Sequence, residues 1–367
     1  MSLSFRFAII SDLHIALPHT IREHPKRLHL VEVSIPVLET ILERLSHLQL
    51  DFLLLPGDLT QHGELDNHAW LIQRLKQLPY PVYVIPGNHD IPVLEADGWS
   101  IAANDFPRLY QDFGYTNPDW FHYTQQVLPG VRLIGLNSNT FDANGKQMGQ
   151  LDAAQLQWLE QVLAAHAHEF VMVMIHHNVV DHLPHQSKHP LGQRYILNNA
   201  AVLRQILRKA GVQLVFTGHL HVQDIAHSDG VYDITTGSLV TYPHPYRVVE
   251  VLTNEQGQRW LHVESGRVEA VDGWATLPQI SRDLIGDRSD SFMVKLLTSA
   301  PLHLPLEEAM PLVPDLRYFW AEIADGDGLF DFSQFPPKVR RYFESFSAID
   351  TNGYLNLIDN AIALRLS

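Results

Sequence analysis

The sequence predicts an α/β fold whose functional groups sit at the carboxyl ends of strands. Two observations point there. Short apolar runs with β-branched members recur along the chain, and most of them stop at a cluster of Asp, Asn, His and Gly. Longer stretches with helical spacing lie between them, as over residues 31–48. Open α/β sheets bind ligands just past the carboxyl ends of their strands.

The elements follow in order. Residues 5–10 read as a buried strand that ends at Ser11-Asp12, with His14 beyond, and residues 31–48 read as a helix. Residues 52–55 end at Pro56-Gly57-Asp58, and residues 82–85 end at Pro86-Gly87-Asn88, followed by His89 and Asp90. The strand 132–136 precedes Gly149-Gln-Leu-Asp-Ala-Ala-Gln155-Leu-Gln-Trp158-Leu-Glu160. Residues 170–175 run into His176, and residues 214–216 lead into Thr217-Gly218-His219, then His221. Strand-like pieces continue over 232–237, 247–251 and 260–264, and Gly237-Ser238 is expected to supply backbone beside the site. After about Val271 the chain turns to helical stretches punctuated by Pro278, Pro301, Pro305, Pro311 and Pro314. Its segments 317–320 and 339–346 are too apolar to lie unpacked in water. We therefore divide the chain into a catalytic domain, 1–270, and a mainly helical extension, 271–367, that caps the site, packs on the core or forms a dimer contact.

The strand ends together carry Asp12, His14, Asp58, Asn88, His176, His219 and His221, that is, four imidazoles, two carboxylates and an amide. These oxygen and nitrogen donors are too many for one tetrahedral ion, but they can hold two if a carboxylate is shared. Two ions about 3.5–4 Å apart stabilise in-line displacement at phosphorus, so hydrolysis of a phosphate ester is the expected reaction. Manganese, iron, cobalt and zinc all suit such ligands.

The ordered blocks Asp12-Leu-His14, Gly57-Asp58, Gly87-Asn88-His89-Asp90, His176 and Gly218-His219-Leu-His221 resemble those of the calcineurin-like metallophosphoesterase superfamily, over residues 5 to 252. The resemblance implies a four-layer αββα sandwich of two mixed sheets. It implies one metal on Asp12, His14, Asp58 and His221, and a second on Asp58, Asn88, His176 and His219, with Asp58 bridging. Within the superfamily, residues 57–63, 81–90 and 149–160 look most like class III cyclic nucleotide phosphodiesterases and glycerophosphodiesterases. Protein phosphatases carry GDxxDRG, where this chain has Gln61-His62-Gly63 in the last three places. Gln61 also stands where purple acid phosphatases place a metal-ligating Tyr, which argues against a purple iron centre.

Roles follow from position. His89, beside Asn88, is the candidate catalytic imidazole, able to hydrogen-bond the phosphate or protonate the leaving alkoxide. Asp90 is the second candidate catalytic residue, a carboxylate that orients an imidazole; an N-cap for the next segment is the alternative. His177 is the candidate substrate-binding residue, although in an extended chain it would face away from His176. Many relatives have His-Pro-Pro here, against His176-His177-Asn178-Val179 in this chain. The polar stretch 181–197, with His182, His185, Lys188, His189 and Arg194, reads as a solvated loop or a lid. The stretch with His19, Arg22, His24, Lys26, Arg27 and His29 reads first as a hydrophilic connection, and alternatively as cations near a phosphate. Asp325-Gly-Asp327-Gly and Asp350-Thr-Asn352-Gly353 lack the EF-hand pattern and read as turns.

Composition agrees with a soluble enzyme. With 46% hydrophobic residues the chain can bury a large core, and no apolar run reaches membrane-spanning length. The start of the sequence leads directly into the first strand, leaving no room for a cleavable signal, so cytoplasm is the expected compartment. The absence of cysteine excludes disulfides and thiolate ligands, and the net charge of −15 argues against broad nucleic-acid binding. The expected partner is a small phosphoester substrate, with a homodimer as a further possibility. A phosphodiesterase is the leading reading. The alternatives are a phosphomonoesterase and a scaffold of the same fold, the last disfavoured because every ligand and His89 are present.

Overall fold

A computed structural model describes residues 3–22, 24, 27–348 and 358–366; Lys26 and the turn at Asp350–Gly353 lie outside the described residues. Strands β1 (Ser4–Ile9), β2 (Phe52–Leu55) and β3 (Val82–Val84) run parallel. The chain then crosses to a second sheet through β4 (Tyr123–Leu128) and β5 (Val131–Gly135). A small hairpin of β6 (Asn139–Phe141) and β7 (Gln147–Gly149) follows. The second sheet is completed by β8 (Phe170–Met174), β9 (Leu214–Thr217), β10 (Asp224–Ser228) and β11 (Val231–Thr235). Strands β12 (Pro245–Thr253), β13 (Arg259–Arg267) and β14 (Ala361–Leu366) return to the first sheet on the other side of β1. The orders are β14-β13-β12-β1-β2-β3 and β10-β11-β9-β8-β5-β4, and both sheets are mixed.

Parallel neighbours need crossover connections, and helices supply them. The helices Ser34–Ser46 and Leu65–Leu75 connect β1 to β2 and β2 to β3. The first buries Val37, Leu38, Ile41, Leu42 and Leu45, the spacing of one helical face. Helices Ala153–Ala165 and Ala200–Lys209 cover the second sheet, packing Leu159, Leu163, Leu203 and Leu207 on Ile134, Val173 and Val215. Asp152 caps the former by accepting the Gln155 N–H at 2.7 Å. Between the sheets Phe7 stacks on Phe52 at 4.8 Å and meets Phe216 of the other sheet edge-on at 5.4 Å. Helices, sheet, sheet and helices make the four layers that the resemblance implies.

The extension is helical over Leu277–Arg288, Asp290–Thr298, Phe319–Asp325 and Pro337–Glu344, gathered on Phe319, Phe332, Phe335 and Phe343. Its end differs from expectation. β14 pairs antiparallel with β13 from Arg259 opposite Leu366 to Glu264 opposite Ala361. The alternation of Ile362, Leu364 and Leu366 has the period of a strand and not of a helix. The Asp327 carboxylate anchors the residues just before that strand, accepting the N–H groups of Asp359 at 2.7 Å and Asn360 at 3.1 Å.

Residues 181–197 form a packed strap, with Leu183, Leu191 and Tyr195 lying on the aromatic cluster of the extension. The strap is anchored by His182, whose fully buried imidazole bonds the Asp224 carboxylate through Nδ1 and lies 3.2 Å from Asp233 through Nε2. Burial alone would push this imidazole down, but the Asp233 and Asp224 carboxylates raise it from 6.5 to about 10. A folded value above the unfolded one means stabilisation that is complete below pH 6.5 and lost as pH rises toward 10. His182→Gln, which leaves the buried Asp233 and the partly exposed Asp224 carboxylates without their cation, should lower unfolding free energy by roughly 3–5 kcal/mol near pH 6. In urea titrations the gap to wild type should shrink steadily between pH 6.5 and 10; a gap independent of pH would contradict a charged His182.

Candidate metal centre

The loops after the strands are laced together by their backbones. The Asp12 N–H donates to the Gly57 carbonyl at 3.2 Å, His14 N–H to Asp58 at 2.9 Å, and Gly218 N–H to His176 at 3.1 Å. Ser238 Oγ donates to the Asp12 carbonyl at 2.8 Å, so the late-strand backbone does lie against the site. Asp12, His14, Asp58, His219 and His221 all hold left-handed backbone, with φ of 49°, 44°, 50°, 68° and 60°, a region side-chain-bearing residues avoid. Two glycines permit the close approach. A Cβ on Gly87 would lie 2.1 Å from Asp58 Oδ1, and one on Gly218 would lie 2.4 Å from Asp12 Oδ2.

The seven strand-end donors converge in two groups. Donor atoms of Asp12, His14, Asp58 and His221 all lie within 4.8 Å of one another, as do those of Asp58, His176 and His219. In the first, His221 Nε2 is 3.1 Å from Asp12 Oδ1 and His14 Nε2 is 3.8 Å from Asp58 Oδ2. In the second, His176 Nε2 is 3.4 Å from Asp58 Oδ2 and 3.3 Å from Asn88 Oδ1. Asp58 belongs to both groups.

Two imidazoles have their tautomers fixed from behind. His176 Nδ1 lies 2.8 Å from the Pro56 carbonyl, which can only accept, so Nδ1 carries a proton and Nε2 is the nitrogen turned to the site. His219 Nε2 likewise donates to the Arg194 carbonyl at 3.1 Å, leaving Nδ1 as its free donor atom. Arg194 belongs to the strap, which therefore helps set the state of a candidate ligand.

Metal ions fit these residues. The Nε2 atoms of His14 and His221 face each other at 3.4 Å beside two buried carboxylates. Among the described residues neither Asp12 nor Asp58 is paired with Lys or Arg. Burial would raise the Asp58 carboxyl, but the His176 and His89 imidazoles hold it well below the usual carboxylate range. Burial opposes the charge on His176, and Asp58 overcomes it, raising that imidazole to about 9. The site draws positive charge, and its nitrogen and oxygen donors are those of first-row divalent ions.

His89 lines a cavity of about 710 Å³ that opens on these groups. Its backbone N–H donates to Asp58 Oδ1 at 2.8 Å, and its Nδ1 donates to the Gln61 carbonyl at 2.6 Å, which leaves Nε2 for the cavity. Asp90 differs from expectation. Its buried carboxylate accepts the N–H groups of Leu59, Thr60 and Gly87 at 3.0, 2.8 and 2.8 Å, and the Thr60 hydroxyl at 3.1 Å. It neither orients an imidazole nor caps a helix, but ties the loop after β2 to the loop after β3. His177 does not face away from the site. β8 ends at Met174, so strand alternation has stopped, and the His177 ring stands 4.4 Å from that of His219 on the cavity wall. Burial and the neighbouring His176 push it down to about 3, so it is neutral.

Other parts of the site belong to no motif, although His29 and Arg194 lie in the two stretches whose alternative readings are cations near a phosphate and a lid. His29, in the stretch read as a hydrophilic connection, places its ring 4.3 Å from His14 and 4.8 Å from His221. Lys146, Arg194, Tyr195 and Trp320 also line the cavity, Trp320 coming from the extension. No helix among the described residues is long and apolar enough to cross a membrane.

The chain is similar to known proteins. The family model described as "Calcineurin-like phosphoesterase" matches residues 5–223, more than half of the chain. "Probable cyclic nucleotide phosphodiesterase" of Moraxella catarrhalis (strain BBH18) is 26% identical over 227 residues, covering 61% of this chain and 74% of that protein. "Probable glycerophosphodiester phosphodiesterase GpdQ" of Arcobacter nitrofigilis is 28% identical over 181 residues, 47% of this chain and 56% of that protein. The "3',5'-cyclic adenosine monophosphate phosphodiesterase CpdA" of Haemophilus influenzae is 23% identical over 216 residues, 58% of this chain and 70% of that protein. Among solved structures, GAP50, the anchor in the inner membrane complex of Plasmodium, superposes with a TM-score of 0.45 at 15% identity, covering 72% of this chain and 84% of that one. On the family match and the fold, the chain belongs to the calcineurin-like phosphoesterases, metal-dependent enzymes that hydrolyse phosphate esters.

Proposed function

We propose that this chain hydrolyses small phosphodiesters, cyclic nucleotides foremost, with two transition-metal ions. The observation that carries the reading is Asp58, shared between two donor groups at the floor of the cavity. Asp12, His14, Asp58 and His221 would hold one ion, and Asp58, Asn88, His176 and His219 the other. When bound, two such ions lower the pKa of water and polarise phosphoryl oxygens. His89 holds its ring by donating Nδ1–H to Gln61 and turns Nε2 toward the leaving oxygen, the place of a general acid. Ser138 Oγ accepts the His177 backbone N–H at 3.3 Å and lies 2.8 Å from Nδ1. With Nδ1 engaged by Ser138, the His177 Nε2 is the ring nitrogen available to substrate.

The diester preference is supported by the cavity beyond the metals. Lys146 and Arg194 offer cations to the phosphate, and Tyr195 and Trp320 offer aromatic surface to the organic groups it joins. The names of the curated relatives agree. Stripped protein reloaded with Mn²⁺ should turn over bis(p-nitrophenyl) phosphate faster than p-nitrophenyl phosphate, and should then act on cyclic nucleotides. Preference for the monoester would make the enzyme a phosphatase. Silence on both, with metal bound, would favour a scaffold of the same fold.

A further inference from the structure

The cavity over the two donor groups is walled by both parts of the chain, and the two walls differ in chemistry. The catalytic domain lines it with imidazoles, the Asp58 carboxylate and the cations Lys146 and Arg194. The extension, among its described residues, contributes Ile285, Trp320 and Ala324, none of them charged. Trp320 is half-buried and supported by its own helix and its neighbours. It meets Phe292 at 5.4 Å and 77°, and the preceding residue, Phe319, packs on Phe330 and Phe343 at 5.0 and 4.9 Å. The same apolar cluster reaches the metal loop. Leu220, which stands between the candidate ligands His219 and His221, is buried in it. Packing therefore fixes the indole relative to the donor groups.

We infer that Trp320 is the specificity-determining residue that selects phosphodiesters bearing a nucleobase over those built on glycerol. Metal ions and the cations Lys146 and Arg194 act on the charge that all phosphate esters share, so they cannot tell these two classes apart. The difference lies in the organic group. A nucleobase is planar and stacks on an indole, whereas glycerol and small amino alcohols have no such face and are better solvated by water. Tyr195 is less suited to this task. Its ring lies 5.1 Å from that of His219, and the Arg194 guanidinium sits 4.5 Å from its centre and bonds its hydroxyl. Trp320 meets one aromatic ring only, Phe292, among the described residues, and so has surface left for a ligand. The labour is thereby divided: the catalytic domain acts at phosphorus, and the extension chooses the organic group.

The inference rests on the phosphodiesterase reading above, and the test separates the two. Full-length wild type, Trp320→Ala and Trp320→Phe are stripped and reloaded with Mn²⁺, with the fold checked by circular dichroism and metal content by elemental analysis. Turnover of cyclic AMP and of glycerophosphoethanolamine is measured. Binding of the matching monoesters, AMP and glycerol 3-phosphate, is measured by calorimetry on the same samples. Wild type should favour cyclic AMP. Trp320→Ala should lower both kcat/KM for cyclic AMP and the affinity for AMP by roughly 5–150-fold, the worth of one stacked base. The loss should fall chiefly on KM, because stacking is made equally in the ground and transition states. Metal content and both glycerol compounds should be unaffected, and Trp320→Phe, which keeps a π face, should recover most of the loss. Equal loss on both pairs, or loss on neither, would overturn the inference, as would a wild type that takes the glycerophosphodiester and ignores the cyclic nucleotide. Absence of turnover on either diester would overturn the phosphodiesterase reading instead, and the inference would then stand or fall on AMP against glycerol 3-phosphate. Should Trp320→Ala not fold, Trp320→Leu, which keeps apolar bulk without a π face, carries the same comparison.

Discussion

Asp58→Ala should abolish hydrolysis and cost the protein both ions together. The Asp58 carboxylate belongs to both donor groups, 3.8 Å from His14 Nε2 and 3.4 Å from His176 Nε2. It also accepts the His89 backbone N–H, so its loss frees the turn that positions the candidate acid. Loss of any unshared ligand, such as Asp12, should weaken one ion chiefly. Elemental analysis after gel filtration distinguishes the cases, with turnover of bis(p-nitrophenyl) phosphate measured on the same samples. An Asp58→Ala protein that retains one ion at wild-type affinity would show that the carboxylate is not shared.

His89→Ala should do the opposite, keeping both ions while slowing turnover by about 10²–10⁴-fold, the usual worth of a positioned acid. The reason is geometric. Its Nδ1 is occupied by the Gln61 carbonyl and its Nε2 is turned to the cavity, while His14, His176, His219 and His221 supply the imidazoles of the two donor groups. The loss should be smaller for a substrate whose leaving group needs no proton, so p-nitrophenyl diesters should be hurt less than cyclic nucleotides. Near wild-type turnover on both substrates would remove His89 from the mechanism.

The strands and the donors at their ends could be read from the sequence for the same reason. A strand buried on both faces is a continuous apolar run, and a ligand just past its end is polar, so each boundary announces itself twice. Residues 52–55 fall where expected, and residues 170–175 and 82–85 differ by one residue at the carboxyl end. What escaped has a different cause. His29 reaches the site by a loop whose path depends on Val240 and Arg288, residues far along the chain, so no local pattern marks it. Asp90 was placed beside the chemistry by its motif, but its carboxylate points into backbone N–H groups from a loop about thirty residues earlier. The strap 181–197 looks solvated because it is polar, yet three of its apolar side chains meet an aromatic cluster contributed by residues after 290. β14 announced itself by alternation, but only against a neighbour, β13, that lies nearly a hundred residues upstream.

The left-handed backbone at positions 12, 14, 58, 219 and 221 bears on how such a protein changes over generations. Each such residue is held at a cost of roughly 1–3 kcal/mol by the structure around it. Mutation toward glycine or asparagine at these sites relieves that cost, and only the demand for turnover opposes it. A lineage that ceased to hydrolyse phosphate esters would therefore gain stability as its donors eroded, and would do so first at the turns and last in the strands that lead to them.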